Sequence, residues 1–306
     1  MKNIRKLLVI MLASLLLFSG CGTADQEDSQ ESETEMGGQI ETVTTDTFSM
    51  EYYKFGHGEE ALVILPGLSV QSVMGFASAV EEAYQLLADE YTVYLVDRRK
   101  NLPDTYSVHE MAEDTAEALK AIGLEKVNLF GASQGGMMAM DIVICHPELV
   151  SNLILGSTAP CLDEEHYKTI EEWISLAKAG DREGLYLAFG EAVYPKEVFE
   201  QSRDPLIAAA ETVTDEDLER FAVLAEGMDG FDVTDKLGSI ACPVLVLGSN
   251  DDQVVGGEAS EKIAELLKDG DCTLYMYDGY GHAAYDTAPD YKERILDFLR
   301  EKTSDK

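Results

Sequence analysis

Val127-Asn128-Leu129-Phe130-Gly131-Ala132-Ser133-Gln134-Gly135-Gly136 is the stretch whose reading decides the fold. Residues 127–130 read as a buried strand, and Gly135 to Cys145 reads as a helix. The turn between them spells G-x-S-x-G. A serine there is driven into strained backbone angles, and the flanking glycines let neighbouring backbone approach without a Cβ clash. Alone, so short a pattern describes an inert Gly-rich turn as well as it describes a displayed nucleophile. Its surroundings must decide.

Working outward, strand-like and helical runs alternate. Residues 42–55 alternate Thr, Phe and Tyr with polar residues, as in an antiparallel hairpin at a sheet edge. Ala61 to Leu65 is a buried strand ending at Pro66-Gly67, and Val93 to Asp97 is another. Residues 107–122 place Val108, Met111, Ala112, Leu119 and Ile122 on one helical face. Leu153 to Leu155 is a further strand. Residues 160–236 then carry helical periodicity only, with Tyr167, Ile170, Trp173, Ile174 and Ala177 sharing a face. Strand spacing resumes at Pro243 to Leu247, followed by a helix over 257–267, a strand over 273–277 and a helix over 289–301. This order predicts an α/β protein with a doubly wound, mostly parallel sheet. Residues 41–159 and 237–306 form its core, and 160–236 form a helical cap inserted between strands. Ligands of open α/β sheets bind beyond the carboxyl ends of the strands, so the cap is expected to roof the site. Its aromatic residues Tyr167, Trp173, Tyr186 and Phe189 are expected to form the cap's own core.

A serine hydroxyl needs a base to act as a nucleophile at neutral pH. His57, His109, His146 and His166 fall in an early turn, on a helix, at a helix end and in the cap. His282 follows Gly279-Tyr280-Gly281 directly after the last strand, which places it at the carboxyl edge where Ser133 is displayed. The base in turn needs a carboxylate to hold its tautomer. The strand at 243–247 runs into Gly248-Ser249-Asn250-Asp251-Asp252-Gln253-Val254-Val255. Counting forward from Gly248 favours Asp251. Counting back from the apolar Val254-Val255, which anchors the turn, favours Asp252, and Asp252 is the reading adopted, with Asp251 the alternative. The oxyanion formed on attack needs two backbone donors. Gln134, next to the nucleophile, supplies one N–H, and Leu68, in the loop after the strand at 61–65, supplies the other.

With these residues placed, the chain resembles the α/β-hydrolase superfamily over about residues 41–302. The resemblance rests on LPGLS at 65–69, DRR at 97–99, GASQGG at 131–136, GSNDDQVV at 248–255 and GYGHAAY at 279–285, in family order. It points to the capped members, among them esterases, lactonases and C–C bond hydrolases. Three positions bear on that. Pro66-Gly67 stands where His-Gly is usual, Gly256 where Pro is frequent, and Ser133 rather than Asp at the nucleophile argues against dehalogenation. The implied reaction is two-step acyl transfer on a small ester, thioester or lactone, with no metal and no organic cofactor. Two alternatives share the same residues: an acyltransferase using the same triad, and a non-catalytic surface binding protein on the same fold.

The ends and the composition add a location. Lys2, Arg5 and Lys6 precede an apolar run from Leu7 to Phe18, shorter than a spanning helix needs. Residues 1–20 therefore read as a signal peptide. Phe18-Ser19-Gly20-Cys21 resembles a bacterial lipoprotein processing site, although Leu17 stands one place early. The expectation is lipidation at Cys21 and attachment to the outer face of the cell membrane, with plain secretion as the alternative. Residues 21–40 are acidic and polar, as in a disordered tether. The whole chain carries a formal charge of −35, and removing residues 1–20 leaves 20 basic against 58 acidic residues. Such a surface repels nucleic acid and leaves a small-molecule acyl substrate as the expected partner. Cys145, Cys161, Cys242 and Cys272 show no zinc-ligand spacing along the chain. They are expected to be mostly buried thiols, with disulfide pairing left open.

Overall fold

The structure, a computed structural model, describes residues 37–304. The signal segment, the processing cysteine Cys21 and the tether as far as residue 36 lie outside the described residues.

Eight strands form one sheet. In chain order the elements begin with β1 (Gln39–Thr44), β2 (Ser49–Gly56) and β3 (Glu60–Leu65), then α1 (Ala77–Ala88), β4 (Tyr91–Arg99) and α2 (Val108–Ile122). They continue with β5 (Val127–Ala132), α3 (Gln134–Cys145) and β6 (Val150–Gly156). Four helices follow without an intervening strand: α4 (Glu164–Lys178), α5 (Arg182–Val193), α6 (Lys196–Ala210) and α7 (Asp215–Glu226). The chain closes with β7 (Val244–Ser249), α8 (Glu258–Leu266), β8 (Cys272–Tyr277), the short α9 (Ala284–Thr287) and α10 (Tyr291–Ser304). The strand order is β1-β2-β4-β3-β5-β6-β7-β8. The β1–β2 and β2–β4 pairs are antiparallel, and every other pair is parallel.

Alternation along the central strands explains the layers. Val63, Leu65, Leu129, Leu153, Leu155, Val244 and Val246 point into the cluster that holds α2, α3 and the four inserted helices. Their neighbours Leu62, Ile64, Phe130, Ile154, Leu245 and Leu247 point to the other face, against α1 and α10. Successive side chains of a strand face opposite sides, so a strand covered on both sides must be apolar throughout. That is why the sequence around Ser133 reads as an uninterrupted apolar run.

The reading from sequence has no element between residues 66 and 92. The structure places α1 there, with Ala77, Ala79, Val80, Tyr84, Leu87 and Ala88 buried. Half of that buried face is alanine, and Glu81-Glu82 lies beside it, so the periodic contrast is weak. The cysteines also depart from expectation. All four described cysteines are free; Cys145 is exposed, and Cys161, Cys242 and Cys272 are only half-buried.

Candidate active site

The carboxyl ends of β3, β5, β7 and β8 share one edge, and the loops leaving them assemble the site. Ser133 stands between β5 and α3 with φ 53° and ψ −123°, one of two non-glycine residues with positive φ among those described. An L-residue rarely adopts that conformation, and it persists because its surroundings impose it. A Cβ on Gly131 would fall 2.3 Å from the Gly135 carbonyl oxygen, and one on Gly135 would fall 2.1 Å from that of Leu65. Both glycines are therefore required by backbone contact. Ser133 N–H donates to the Gly156 carbonyl at 2.9 Å, and its own carbonyl accepts from Thr158 Oγ1 at 2.8 Å. The serine is 6% exposed.

The loop after β3 passes directly over it. An added Cβ on Gly67 would stand 3.1 Å from Ser133 Cβ. Neither Leu68 N–H nor Gln134 N–H donates to a backbone acceptor among the described residues. The Gln134 amide also belongs to the first turn of α3, where N–H groups have no partner within the helix and the dipole favours negative charge.

His282 and Asp252 meet at the far side of this edge. His282 Nδ1 lies 2.8 Å from Asp252 Oδ2 and 3.0 Å from Oδ1. A carboxylate can only accept here, so the proton sits on Nδ1 and leaves Nε2 with a lone pair. Asp252 Oδ1 also accepts from the N–H groups of Val254 and Val255 at 2.9 and 3.1 Å. Asp251 does something else. Its Oδ1 accepts from Gly279 N–H at 2.9 Å and its Oδ2 from Gly281 N–H at 3.0 Å. Partial burial raises its carboxyl pKa, but hydrogen bonds from Ser249, Gly279 and Gly281 prevail and hold it below the usual carboxylate value. Asp252 thus faces the imidazole, and Asp251 pins the loop that carries it. Gly256 has φ +84°, which a proline ring cannot reach, and that accounts for glycine at a position where Pro is frequent.

Several side chains tie this edge together in ways that spacing alone does not reveal, although Asp97 and Arg98 belong to the DRR segment at 97–99. Arg98 is buried, and its Nη2 donates to the Pro66 carbonyl and to Gln134 Oε1, both at 2.8 Å. One guanidinium thereby ties the loop of Leu68 to the residue that follows Ser133. Burial lowers the Arg98 pKa to about 10, leaving it charged at neutral pH. Gln134 Nε2 donates to the Leu224 carbonyl of α7 at 2.7 Å. Arg220, also on α7, donates to Asp97 Oδ1 at 2.6 Å, and Ser72 Oγ donates to Asp97 Oδ2 at 2.5 Å. At the other end of the inserted helices, Ala283 N–H donates to the Val193 carbonyl at 3.0 Å, directly after His282.

A cavity of about 150 Å³ opens beside the loop after β3, lined by Gly67, Leu68, Tyr186, Phe189, Tyr285 and Asp286 among others. Tyr186 and Phe189 pack in the core of the inserted helices as expected and also line this space. Tyr186 Oη reaches Gln71 Oε1 at 3.1 Å, while Phe189 stacks on Trp173 with centroids 4.7 Å apart. Asp286 was not singled out from sequence. Burial pushes its carboxyl up to about 6, against the opposing pull of Lys292 and His282.

Comparisons with known proteins agree with this architecture. A family profile described as alpha/beta hydrolase fold matches residues 60–203. The protein designated carbamate hydrolase RutD in Agrobacterium fabrum is 27% identical over 249 residues, spanning 76% of this chain and 93% of its own length. Its counterpart in Rhizobium rhizogenes is 25% identical, spanning 72% and 86%. Among solved structures, an α/β hydrolase from a deep-sea metagenome of the Medee basin superposes with a TM-score of 0.76 at 18% identity, covering 85% of this chain and 97% of its own. A thermophilic esterase of Thermogutta terrifontis superposes at 0.70 with 22% identity, covering 86% and 99%. At these identities the superpositions establish the fold.

Proposed function

We propose that the chain is a member of the α/β-hydrolase superfamily and a serine hydrolase cleaving small carboxylic esters, thioesters, lactones or carbamates through an acyl-enzyme. The observation that carries this reading is the buried Asp252–His282 pair at the same sheet edge as a serine in strained elbow geometry. Ser133 Oγ attacks the substrate carbonyl while His282 Nε2 accepts its proton. The new C–O bond forms as the carbonyl π pair moves onto oxygen, where the Leu68 and Gln134 amides hold the oxyanion. Collapse expels the alcohol, thiol or amine, which takes the proton from His282. A water then repeats the sequence on the acyl-enzyme and releases the acid. Asp252 stabilises the imidazolium formed in each half.

The cavity volume supports a short acyl group, because a void of this size holds a molecule about as large as benzene. Carbamates are included because their carbonyl is open to the same attack and the curated relatives carry that designation. The test is a series of p-nitrophenyl esters from acetate to octanoate, with a phenyl carbamate alongside. The expected result is turnover that falls steeply beyond butyrate and disappears in Ser133→Ala. Ligand binding without turnover of any member would overturn the reading.

The proposal extends to location: the enzyme is exported and held at the outer face of the cell membrane by lipid on Cys21. Labelling with an alkyne fatty acid in cells should tag the wild type and spare Cys21→Ser. A chain that remains unlabelled while appearing in the medium would instead show plain secretion.

A further inference from the structure

Two helices on one face of the sheet bring together donors that the reaction above does not use. On α2, His109 and Glu113 are four residues apart and share a face. On α3, Asp141 and Cys145 have the same spacing. The helices pack side by side, so the two pairs confront one another. The donor atoms of His109, Glu113 and Cys145 all lie within 4.8 Å of each other. Asp141 borders this group: its Oδ2 is 2.6 Å from His109 Nδ1, and Cys145 Sγ lies 3.8 Å from its Oδ1.

We propose that His109, Glu113 and Cys145, bordered by Asp141, form a binding site for a divalent transition-metal ion of the zinc class, separate from the proposed catalytic edge. One imidazole, one thiolate and one carboxylate are donor types that zinc takes, and three of them leave a fourth tetrahedral position for water or for Asp141. Zinc bonds of about 2.0–2.3 Å require donors a little closer together than they stand here. The side chain of His109 is 62% exposed and held to Asp141, which at 5% exposure is the buried floor of the site. His146 Nε2 lies 2.9 Å from Glu113 Oε1, the kind of outer contact that orients a ligating carboxylate. Coordination releases the Cys145 thiol proton to solvent. Among the described residues, Lys236 acts on Cys145, and Lys120 lies 3.3 Å from His146 Nδ1.

The site lies at the opposite end of α3 from the nucleophile. Cys145 follows Ser133 by twelve residues, which is about 18 Å along a helix. A bound ion would cross-link α2 to the helix that begins at Gln134. It would therefore stabilise the chain without touching substrate.

Equilibrium dialysis of the full chain against zinc, followed by metal analysis, tests this with His109→Ala and Cys145→Ser as the paired variants. The expected result is one zinc per wild-type chain at micromolar free metal, lost at least tenfold in each variant. Cobalt in place of zinc should give a thiolate charge-transfer band that Cys145→Ser abolishes. Thermal melting guards against misfolding: without added metal the variants should melt as the wild type does, and zinc should raise only the wild-type Tm. Equal binding by the wild type and both variants would assign the metal to the acidic surface and overturn the proposal, as would no stoichiometric binding.

Discussion

Asp252 and His282 are joined by a hydrogen bond sealed from water, with Nδ1 2.8 Å from Oδ2 and the side chains only 2% and 3% exposed. Asp251, one residue earlier, holds the backbone of the same loop through Gly279 and Gly281. The two adjacent carboxylates divide the work of orienting one imidazole, and substitutions should separate them. Asp252→Ala should lower kcat by about 10³–10⁴-fold with KM little changed, as expected when the imidazole loses its partner. Asp251→Ala should cost about tenfold, through looser placement of the loop. Steady-state kinetics on the preferred ester checks both. Equal losses would contradict this division.

Arg98 should behave as a positioning residue. Its Nη2 holds both the Pro66 carbonyl and the Gln134 side chain, so Arg98→Met releases the two sides of the oxyanion site from each other. The expected outcome is a fall in kcat of about 10–10²-fold with KM nearly constant, because the oxyanion exists only after attack. Arg98→Lys keeps the charge but lacks the planar fork, and should recover only part of the loss. A change confined to KM would assign Arg98 to substrate binding instead.

Asp286 gives a signed pH dependence. Its carboxyl holds a proton more tightly in the folded chain, up to about 6, than at its ordinary value of 3.8. Its contribution to stability is thus fully present below the ordinary value and is lost as pH rises through about 6. Asp286→Asn removes that titration. The Tm of the variant should therefore gain on the wild type as pH rises from about 4 to about 7, then hold a constant offset. Parallel melting curves across that range would contradict the assignment.

The acyl chain length should respond to Phe189, which lines the cavity and stacks on Trp173. Phe189→Ala should move the preferred ester to a longer chain, at a stability cost of up to about 3–5 kcal/mol for removing a packed ring. An unchanged chain-length profile would place the acyl group elsewhere.

Much of this was legible before any coordinates. The strands around Ser133 and Leu65 announce themselves because burial on both faces leaves no room for polar residues. The pair of aspartates at 251–252 was visible, but which one faces His282 depends on how the turn closes through Val254 and Val255. That closure is a tertiary fact. Helix α1 escaped notice because alanines supply much of its buried face. Tyr186 and Phe189 could not be assigned to a cavity from periodicity alone, since a helix face looks the same whether it meets protein or ligand space. Arg98 sits in the DRR segment at 97–99, but its contacts to Pro66 and Gln134, like those of Arg220 and the burial of Asp286, are made across the fold, where no local spacing reveals them. The same holds for the His109–Glu113 and Asp141–Cys145 pairs, because a search along the chain for cysteine ligand motifs cannot see donors shared between two helices.

Covalent labelling of the nucleophile tests the central claim most directly. A fluorophosphonate incubated with the purified chain should add one equivalent of mass, map to the peptide carrying Ser133, and stop all hydrolysis, while Ser133→Ala stays unlabelled. Labelling of Ser133→Ala to the same extent, or full ester hydrolysis by that variant, would contradict the account.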